Sequence, residues 1–106
     1  FGDGRSARDY TYIDDIVNGV VASVERVDGY RIYNLGNSTP TELGSLVETI
    51  ATTLGRSPDV ETLPMQPGDV SLTYADIGRA ERELDYRPTT SIAEGVQRYV
   101  DWFRTR

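Results

Sequence analysis

The residues best suited to chemistry are two arginines that precede an aromatic run and two aspartates, in "GDGRSARDYTYIDD" (2–15). A guanidinium matches the oxyanions of phosphates and carboxylates, so Arg5 and Arg8 suggest an anion site. They could also neutralise nearby carboxylates, and their spacing alone favours that interpretation. Asp14 and Asp15 could act as acid and base, but neighbouring side chains on a helix point about 100° apart. A charge and cap at a helix start is therefore favoured for both aspartates.

A second candidate is "MQPGDV" (65–70), in which the Pro-Gly pair predicts a tight turn. This turn would present Gln66 and Asp69 on either side of it. A carboxylate at such a turn can accept hydrogen bonds from sugar hydroxyls, or it can bond its own backbone amides. The residues by themselves leave both alternatives open.

The composition removes several kinds of active site. The chain has no histidine and no cysteine, and all eleven of its basic residues are arginine. Imidazole catalysis, His or Cys metal ligands, a lysine Schiff base and a Tyr-Lys couple are therefore excluded within this chain, and we expect no metal site. The glycines of "GDG" (2–4) are too few for a phosphate-binding loop and favour a tight turn.

Length and charge narrow the possible partners. The 106 residues correspond to one domain, and their net charge of −6 offers no basic face for a nucleic acid. No apolar run reaches the roughly 18 residues that span a bilayer, so we expect no membrane association. The absence of cysteine fits a cytoplasmic location.

Apolar residues at helical spacing predict four helices that would position these groups. The first helix has Ile13, Ile16, Val17, Val20, Val21 and Val24 on one face. The second has a buried stripe of Leu43, Leu46, Val47, Ile50, Ala51 and Leu54. The third runs from Asp76 to Leu84, with Ile77, Ala80 and Leu84 inward. The fourth helix has its apolar residues at Ile92, Val96, Tyr99, Val100 and Phe103.

Helix boundaries and short strands complete the predicted fold. Thr39 and Glu42 form a capping-box pattern before the second helix, although Thr41 could cap it instead, and Ser91 with Glu94 forms another before the fourth. The first helix should end at Asp28-Gly29, and the second should end at Gly55. A short strand that ends in a Gly-Asn turn is predicted for "YRIYNLGN" (30–37), and another, with Pro64 at an edge or strand end, for "VETLPM" (60–65). The sum is a small α/β (α+β) domain of four helices and a few short strands.

Several segments together resemble a known family: "RDYTYIDDIVNGVV", "YNLGNSTPTELGSLVETI", "LPMQPGDV", "TYADIGRAERELDYRP" and "TSIAEGVQRYVDWFR". They are similar to the C-terminal portion of the extended short-chain dehydrogenase/reductases, the NAD-dependent sugar-nucleotide epimerases and dehydratases, and most of all to UDP-glucuronate 4-epimerases. The resemblance implies that residues 1–106 are the small substrate-binding domain, without the N-terminal Rossmann domain. In the family that domain binds NAD and carries the catalytic residues, so this chain alone is expected to be inactive and to bind no cofactor.

The resemblance also implies a UDP-sugar site. Arg8 corresponds to the family's arginine on the substrate diphosphate, which reverses the neutralising interpretation for that residue. Asp69 corresponds to the acid that bonds the ribose hydroxyls. Gln66 stands where several relatives have an arginine that reaches a phosphate, so this contact should be weaker here. Asn34 matches an asparagine that can approach the diphosphate, and Phe1 matches an aromatic beside the uracil.

Other functions remain open at this point. The chain could be an interaction or structural domain without a ligand, or the corresponding domain of a sugar-nucleotide dehydratase or decarboxylase. Arg5 has no family counterpart and is expected to be a surface charge. The face that packs on the Rossmann domain in the family is partly apolar, so we expect the isolated chain to self-associate. One domain supplies only half of the cleft walls, and little affinity for a UDP-sugar is expected from the chain alone.

Overall fold

A computed structural model describes residues 1–26 and 28–106, which form a flattened body of 48 × 38 × 19 Å. Along the chain, the described elements are β1 (Ala7–Arg8), α1 (Ile13–Arg26), β2 (Thr41–Glu42), α2 (Leu43–Leu54), α3 (Gly78–Leu84) and α4 (Ile92–Thr105). Strands β1 and β2 pair antiparallel, α3 packs against α1, and α4 packs against α2. The predicted small α/β domain with four helices is confirmed.

The core lies between α3 and α1. Ile77, Ala80 and Leu84 recur at the spacing of one helical face, and all three are buried together with Tyr86. The Tyr86 hydroxyl donates a hydrogen bond of 2.6 Å to the carbonyl oxygen of Gly36, so the ring is buried without an unpaired polar group. The inward face predicted for the third helix is confirmed.

Two helix boundaries predicted from the sequence, the end of α2 and the start of α4, are confirmed, whereas the cap predicted at the start of α2 is not. Gly55 adopts the left-handed conformation at the end of α2, and the Ser91 hydroxyl accepts a hydrogen bond from the Glu94 amide at the start of α4. The capping box predicted from Thr39 and Glu42 is wrong, because Glu42 lies in β2 and its side chain makes no cap bond.

Backbone carbonyls take the place of that missing cap. The amides of Leu43 and Gly44, at the start of α2, each donate a 2.8 Å hydrogen bond to the carbonyls of Ser6 and Gly4. Gly2 and Gly4 both have positive φ, as the tight turn predicted for "GDG" requires. The amino-terminal segment thereby satisfies donors that a helix start otherwise leaves open.

The apolar face of α1 lies on the surface of the chain. Of its six apolar residues, five are exposed: Ile13, Val17, Val20, Val21 and Val24. The fully buried positions of α1 are instead Asp15 and Gly19. A Cβ added at Gly19 would lie 2.8 Å from the Leu35 side chain, so this helix approaches the core through its smallest residue.

Both strands predicted from sequence are wrong. Residues 30–37 and 60–65 carry no strand, and the described segments contain only β1, β2 and an isolated bridge between Ala7 and Leu72. Residues 30–37 have alternating side chains, with Tyr33 and Leu35 packed on the core, but no neighbouring segment within the described residues pairs with their backbone. A strand pattern without a partner strand does not form a ladder.

Candidate functional site

Strand β1 fixes the backbone that carries Arg8. Ala7 donates through its amide to the carbonyl of Ser71 (2.8 Å) and accepts from the amide of Thr73 (3.2 Å), while Arg8 pairs with Thr41 of β2. Since successive side chains of a strand point to opposite faces, anchoring Ala7 on both sides also fixes the direction of Arg8.

Arg8 and Asp69 form an ion pair although they lie 61 positions apart in the sequence. The Arg8 Nη2 atom donates to Asp69 Oδ1 at 2.7 Å, and the two side chains are 30% and 36% exposed. A half-exposed pair of this kind stabilises a fold by about 1 kcal/mol at most. The structure thus brings together the two residues for which the family resemblance implies contacts with the diphosphate and the ribose.

The bend at residues 66–69 presents Asp69. The Asp69 amide donates to the carbonyl of Gln66 at 3.1 Å, and Gly68, which follows Pro67, has a φ of 83°. Proline and then a glycine with positive φ are the central residues of a type II turn. The tight turn predicted here is confirmed, with Gln66 and Asp69 at its two ends, and both residues are exposed.

The pair keeps unused hydrogen-bonding capacity. A guanidinium has five N–H donors, and Arg8 uses one on the Ala7 carbonyl and one on Asp69. The Oδ1 atom of Asp69 accepts from Arg8 and from the Val70 amide, and its other oxygen has no partner among the described residues. The site can therefore bond an oxyanion through Arg8 and hydroxyl groups through Asp69 at the same time.

Neither Asn34 nor Phe1 has a direct contact to this pair among the described residues. The Asn34 amide nitrogen is 3.5 Å from the Asp76 carbonyl, and its side chain is exposed. Phe1 is 54% exposed, and the following Gly2 amide donates to the Leu63 carbonyl at 2.6 Å. Phe1 therefore lies beside the segment that leads into the 66–69 bend. The substrate roles of these five residues stay predictions.

The other arginine of the opening stretch behaves differently. Arg5 pairs with Asp3 at 3.7 Å, and its side chain is 85% exposed. Local neutralisation therefore describes Arg5, while Arg8 bonds a distant aspartate instead of the acids beside it. The family resemblance, and not their spacing, distinguishes the two arginines, and the ligand role that it implies for Arg8 stays a prediction.

Two aspartates have contacts that the sequence patterns did not indicate. Asp9 accepts hydrogen bonds from the backbone amides of Asn37, Ser38 and Ala75. Asp15 is 3% exposed, and its carboxylate accepts from the amides of Thr89 and Thr90 at 3.1 Å each. Periodicity could not reveal these contacts, because each joins segments that are far apart in the sequence.

An apolar groove of about 530 Å³ lies between α2 and α4. Its lining includes Ile50, Leu54, Val96 and Phe103 but no charged side chain. A diphosphate requires charged or strongly polar partners, so this groove does not suit the ligand that Arg8 and Asp69 suggest.

Two further kinds of site are absent from the residues that the structure describes. None of their helices has both the length and the apolar character needed to cross a membrane. Within the same residues, no group of three or more His, Cys, Asp or Glu side chains is arranged to hold a metal ion.

The sequence matches a known protein family over nearly its whole length. The family is that of GDP-mannose 4,6 dehydratase, and the match covers residues 1–99. The chain belongs to this family. Its members are NAD-dependent epimerases and dehydratases, as the resemblance of segments along the whole chain predicted.

Individual members of the family align with almost all of the chain. The UDP-glucuronate 4-epimerase of Thermodesulfobacterium geofontis is 42% identical over 103 residues, which are 96% of this chain and 32% of that protein. The chain spans about a quarter to a third of the length of the curated relatives that it matches.

Solved structures of the family have the same fold. The UDP-glucuronic acid 4-epimerase of Bacillus cereus in complex with UDP-glucuronic acid and NAD superposes with a TM-score of 0.90 at 32% identity, over 99% of this chain and 34% of that one. The UDP-glucose 4-epimerase of Thermotoga maritima with UDP-glucose also gives a TM-score of 0.90, at 30% identity over 99% of this chain and 34% of that one.

Proposed function

We propose that this chain is the UDP-sugar-binding part of an NAD-dependent epimerase that acts on UDP-glucuronate. The observation that carries the proposal is the contact between Arg8 and Asp69, because it joins a cation for a diphosphate to a carboxylate for a ribose at one exposed place. The similarity to named UDP-glucuronate 4-epimerases supports the choice of substrate and the choice of epimerisation over dehydration.

Each site residue has a role that its chemistry allows. Arg8 bonds the diphosphate through its remaining guanidinium N–H groups, and Asp69 accepts from the ribose hydroxyls. Gln66 offers the phosphates a neutral donor, which is weaker than a guanidinium would be. Asn34 supplies a further amide donor, and Phe1 lies against the uracil ring.

NAD binding and the chemical step belong to the rest of the protein. The start of α2 offers no phosphate site for the dinucleotide, because its amides are already bonded to the carbonyls of Gly4 and Ser6. The chain also has no lysine and no histidine to move a proton. The exposed apolar face of α1 (Ile13, Val17, Val20, Val21 and Val24) is a surface on which the cofactor domain can pack.

Within such an enzyme, this chain supplies binding energy at a distance from the reacting carbon. Holding the nucleotide at its diphosphate and ribose leaves the sugar free to face the cofactor, while the rest of the substrate stays fixed. Contacts to such remote groups contribute to catalysis by positioning the reacting group.

The experiment compares two arginine variants in the complete gene product. Arg8→Ala should weaken UDP binding about 10- to 100-fold in calorimetry, which corresponds to the loss of one charge-assisted contact. Arg5→Ala is the matched control and should bind UDP as the parent protein does, since Arg5 is exposed and pairs only with Asp3 among the described residues.

Three results would contradict the proposal. The first is a protein in which Arg8→Ala binds UDP as tightly as the parent. The second is the absence of UDP binding by the parent itself, which would favour a structural or interaction domain. The third is turnover of UDP-glucuronate to a decarboxylated product without the 4-epimer, measured by NMR of the sugar product.

A further inference from the structure

Asp9 lies next to Arg8 and contacts two distant parts of the chain. One of its carboxylate oxygens accepts from the Asn37 amide at 3.0 Å, and the other accepts from Ser38 at 2.9 Å and from Ala75 at 3.1 Å. The bonded amides lie 28 to 66 positions further along the sequence. We refer to Asp9, residues 36–38 and Ala75 as the Asp9 junction.

The segments that meet at the Asp9 junction also carry the candidate ligand residues. Asn34 lies shortly before the bonded amides of residues 37–38, and the 66–69 bend leads through Thr73 to Ala75. Arg8 precedes Asp9 directly. The one carboxylate therefore joins the three pieces of chain from which Arg8, Asn34 and Asp69 extend.

The local backbone is built around this carboxylate. A Cβ placed on Gly36 would lie 2.6 Å from the Asp9 Oδ2 atom and 2.8 Å from the Ala75 Cβ, so only glycine fits between the two segments. Ser38 has a φ of 59°, which is unusual for a residue other than glycine. Its amide donates to Asp9, and this bond compensates for the conformation.

We propose that Asp9 is the positioning residue of the UDP site, and that its carboxylate sets the relative placement of Arg8, Asn34 and Asp69. The inference rests on the proposed function, because it concerns the geometry of the same site. Asp9 does not touch the ligand in this proposal. It acts through the backbone amides of residues 37, 38 and 75.

Asp15 provides a matched control with the same chemistry elsewhere. Its buried carboxylate also accepts from two backbone amides of a distant segment, those of Thr89 and Thr90. The two segments that it joins carry none of the proposed ligand residues. Removing either carboxylate should lower stability, but only the loss of Asp9 should disturb the site.

The test measures UDP binding and thermal stability of Asp9→Asn, Asp15→Asn and Arg8→Ala in the complete gene product. Asparagine keeps the size of the side chain but replaces one acceptor oxygen by a donor. We expect Asp9→Asn to raise the Kd for UDP about tenfold, as the loss of well-placed hydrogen bonds does. Asp15→Asn should lower the melting temperature and leave the Kd within about twofold of the parent.

A second readout follows the amides themselves. In Asp9→Asn, hydrogen exchange should accelerate at residues 37, 38 and 75 and stay unchanged at residues 89 and 90, whereas Asp15→Asn should show the reverse. If Asp9→Asn does not fold, Gly36→Ala displaces the carboxylate without removing its charge and should weaken UDP binding in the same way.

The possible results separate this proposal from the proposed function. Weakened binding by Arg8→Ala and Asp9→Asn, with normal binding by Asp15→Asn, supports the positioning role. Weakened binding by Arg8→Ala alone overturns the positioning role and leaves the proposed function standing. If Asp9→Asn and Asp15→Asn weaken UDP binding equally, the positioning role is also overturned, because the loss would then result from lower stability. Unchanged binding by Arg8→Ala overturns both.

Discussion

Leu84 on α3 and Val24 on α1 are both aliphatic residues on the apolar face of a helix, yet Leu84 is 2% exposed and Val24 is 73% exposed. The face of α3 packs on α1 and on the segment around Tyr33 and Leu35. The apolar face of α1 points away from that core. Two helices with similar patterns therefore have opposite surroundings.

This difference shows what an apolar pattern specifies. It specifies that a face is suited to burial, but it does not specify whether the covering surface belongs to the same stretch of chain. The inner side of α1 is held instead by Asp15 and Gly19, a carboxylate and a glycine that no hydrophobic pattern would select. The following predictions test how far the two regions differ.

The largest effect on stability is expected in the core. Leu84→Ala should lower the free energy of unfolding by about 2–5 kcal/mol, because it opens a cavity in a packed cluster. Val24→Ala, the matched change on the outer face of α1, should alter it by no more than about 0.5 kcal/mol. Urea unfolding of both variants measures the contrast, and equal losses would show that the two faces are equally buried.

The next largest effect is expected on the inner side of α1. Asp15→Ala leaves the amides of Thr89 and Thr90 without their partner and should cost about 1–3 kcal/mol of unfolding free energy. Asp14→Ala is the control in the same helical turn, and it should cost less than about 1 kcal/mol because Asp14 is exposed and lies 3.9 Å from Arg98. A small effect of Asp15→Ala would mean that the buried side of α1 does not depend on this carboxylate.

Tyr86→Phe should lower the free energy of unfolding by about 1 kcal/mol, because it removes the hydrogen bond to the Gly36 carbonyl. Burial, followed by the negative charge of Asp15, raises the pKa of Tyr86 above its ordinary value of 10.0. The unfolded chain therefore releases this proton first, so the contribution of Tyr86 is fully present below pH 10 and is lost as the pH rises through the raised pKa. The difference between parent and Tyr86→Phe in unfolding free energy should shrink above pH 10, and a constant difference would contradict this assignment.

The smallest change in stability is expected on the outer face of α1. The paired substitution Val17→Thr and Val21→Thr replaces exposed methyl groups by hydroxyls and should leave the unfolding free energy within about 0.5 kcal/mol. The 106-residue chain should form dimers or larger species at high concentration, and this variant should reduce them in light scattering. A monomeric parent chain would contradict the prediction of self-association.

Local sequence signals predicted the elements that depend on local contacts. The positions of the helices, the buried face of α3, the Ser91 cap, the Gly55 ending and the turn at Pro67-Gly68 follow from neighbouring residues, and the structure confirms them. The strand predicted for 30–37 needed a partner strand, and the capping box at Thr39 competed with the carbonyls of Gly4 and Ser6. Such long-range contacts leave no mark in a short window of sequence.

In the candidate site, too, local sequence signals predicted one part and gave no indication of the rest. The 66–69 bend could be predicted from its Pro-Gly pair, but spacing gave no reason to separate Arg8 from Arg5, and only the family resemblance did so. The contact of Arg8 with Asp69 agrees with that distinction. The junction at Asp9 was missed, because a carboxylate that bonds backbone amides has no partner side chain in the sequence to reveal it.

The sequence separation of these carboxylate contacts also bears on how the molecule reaches its fold. The Asp15 carboxylate is bonded to an amide 75 positions further along the sequence. Closing so long a loop costs entropy before any contact repays it, and high contact order slows folding. The Asp15 contact of α1 can therefore form only after residue 90 has left the ribosome.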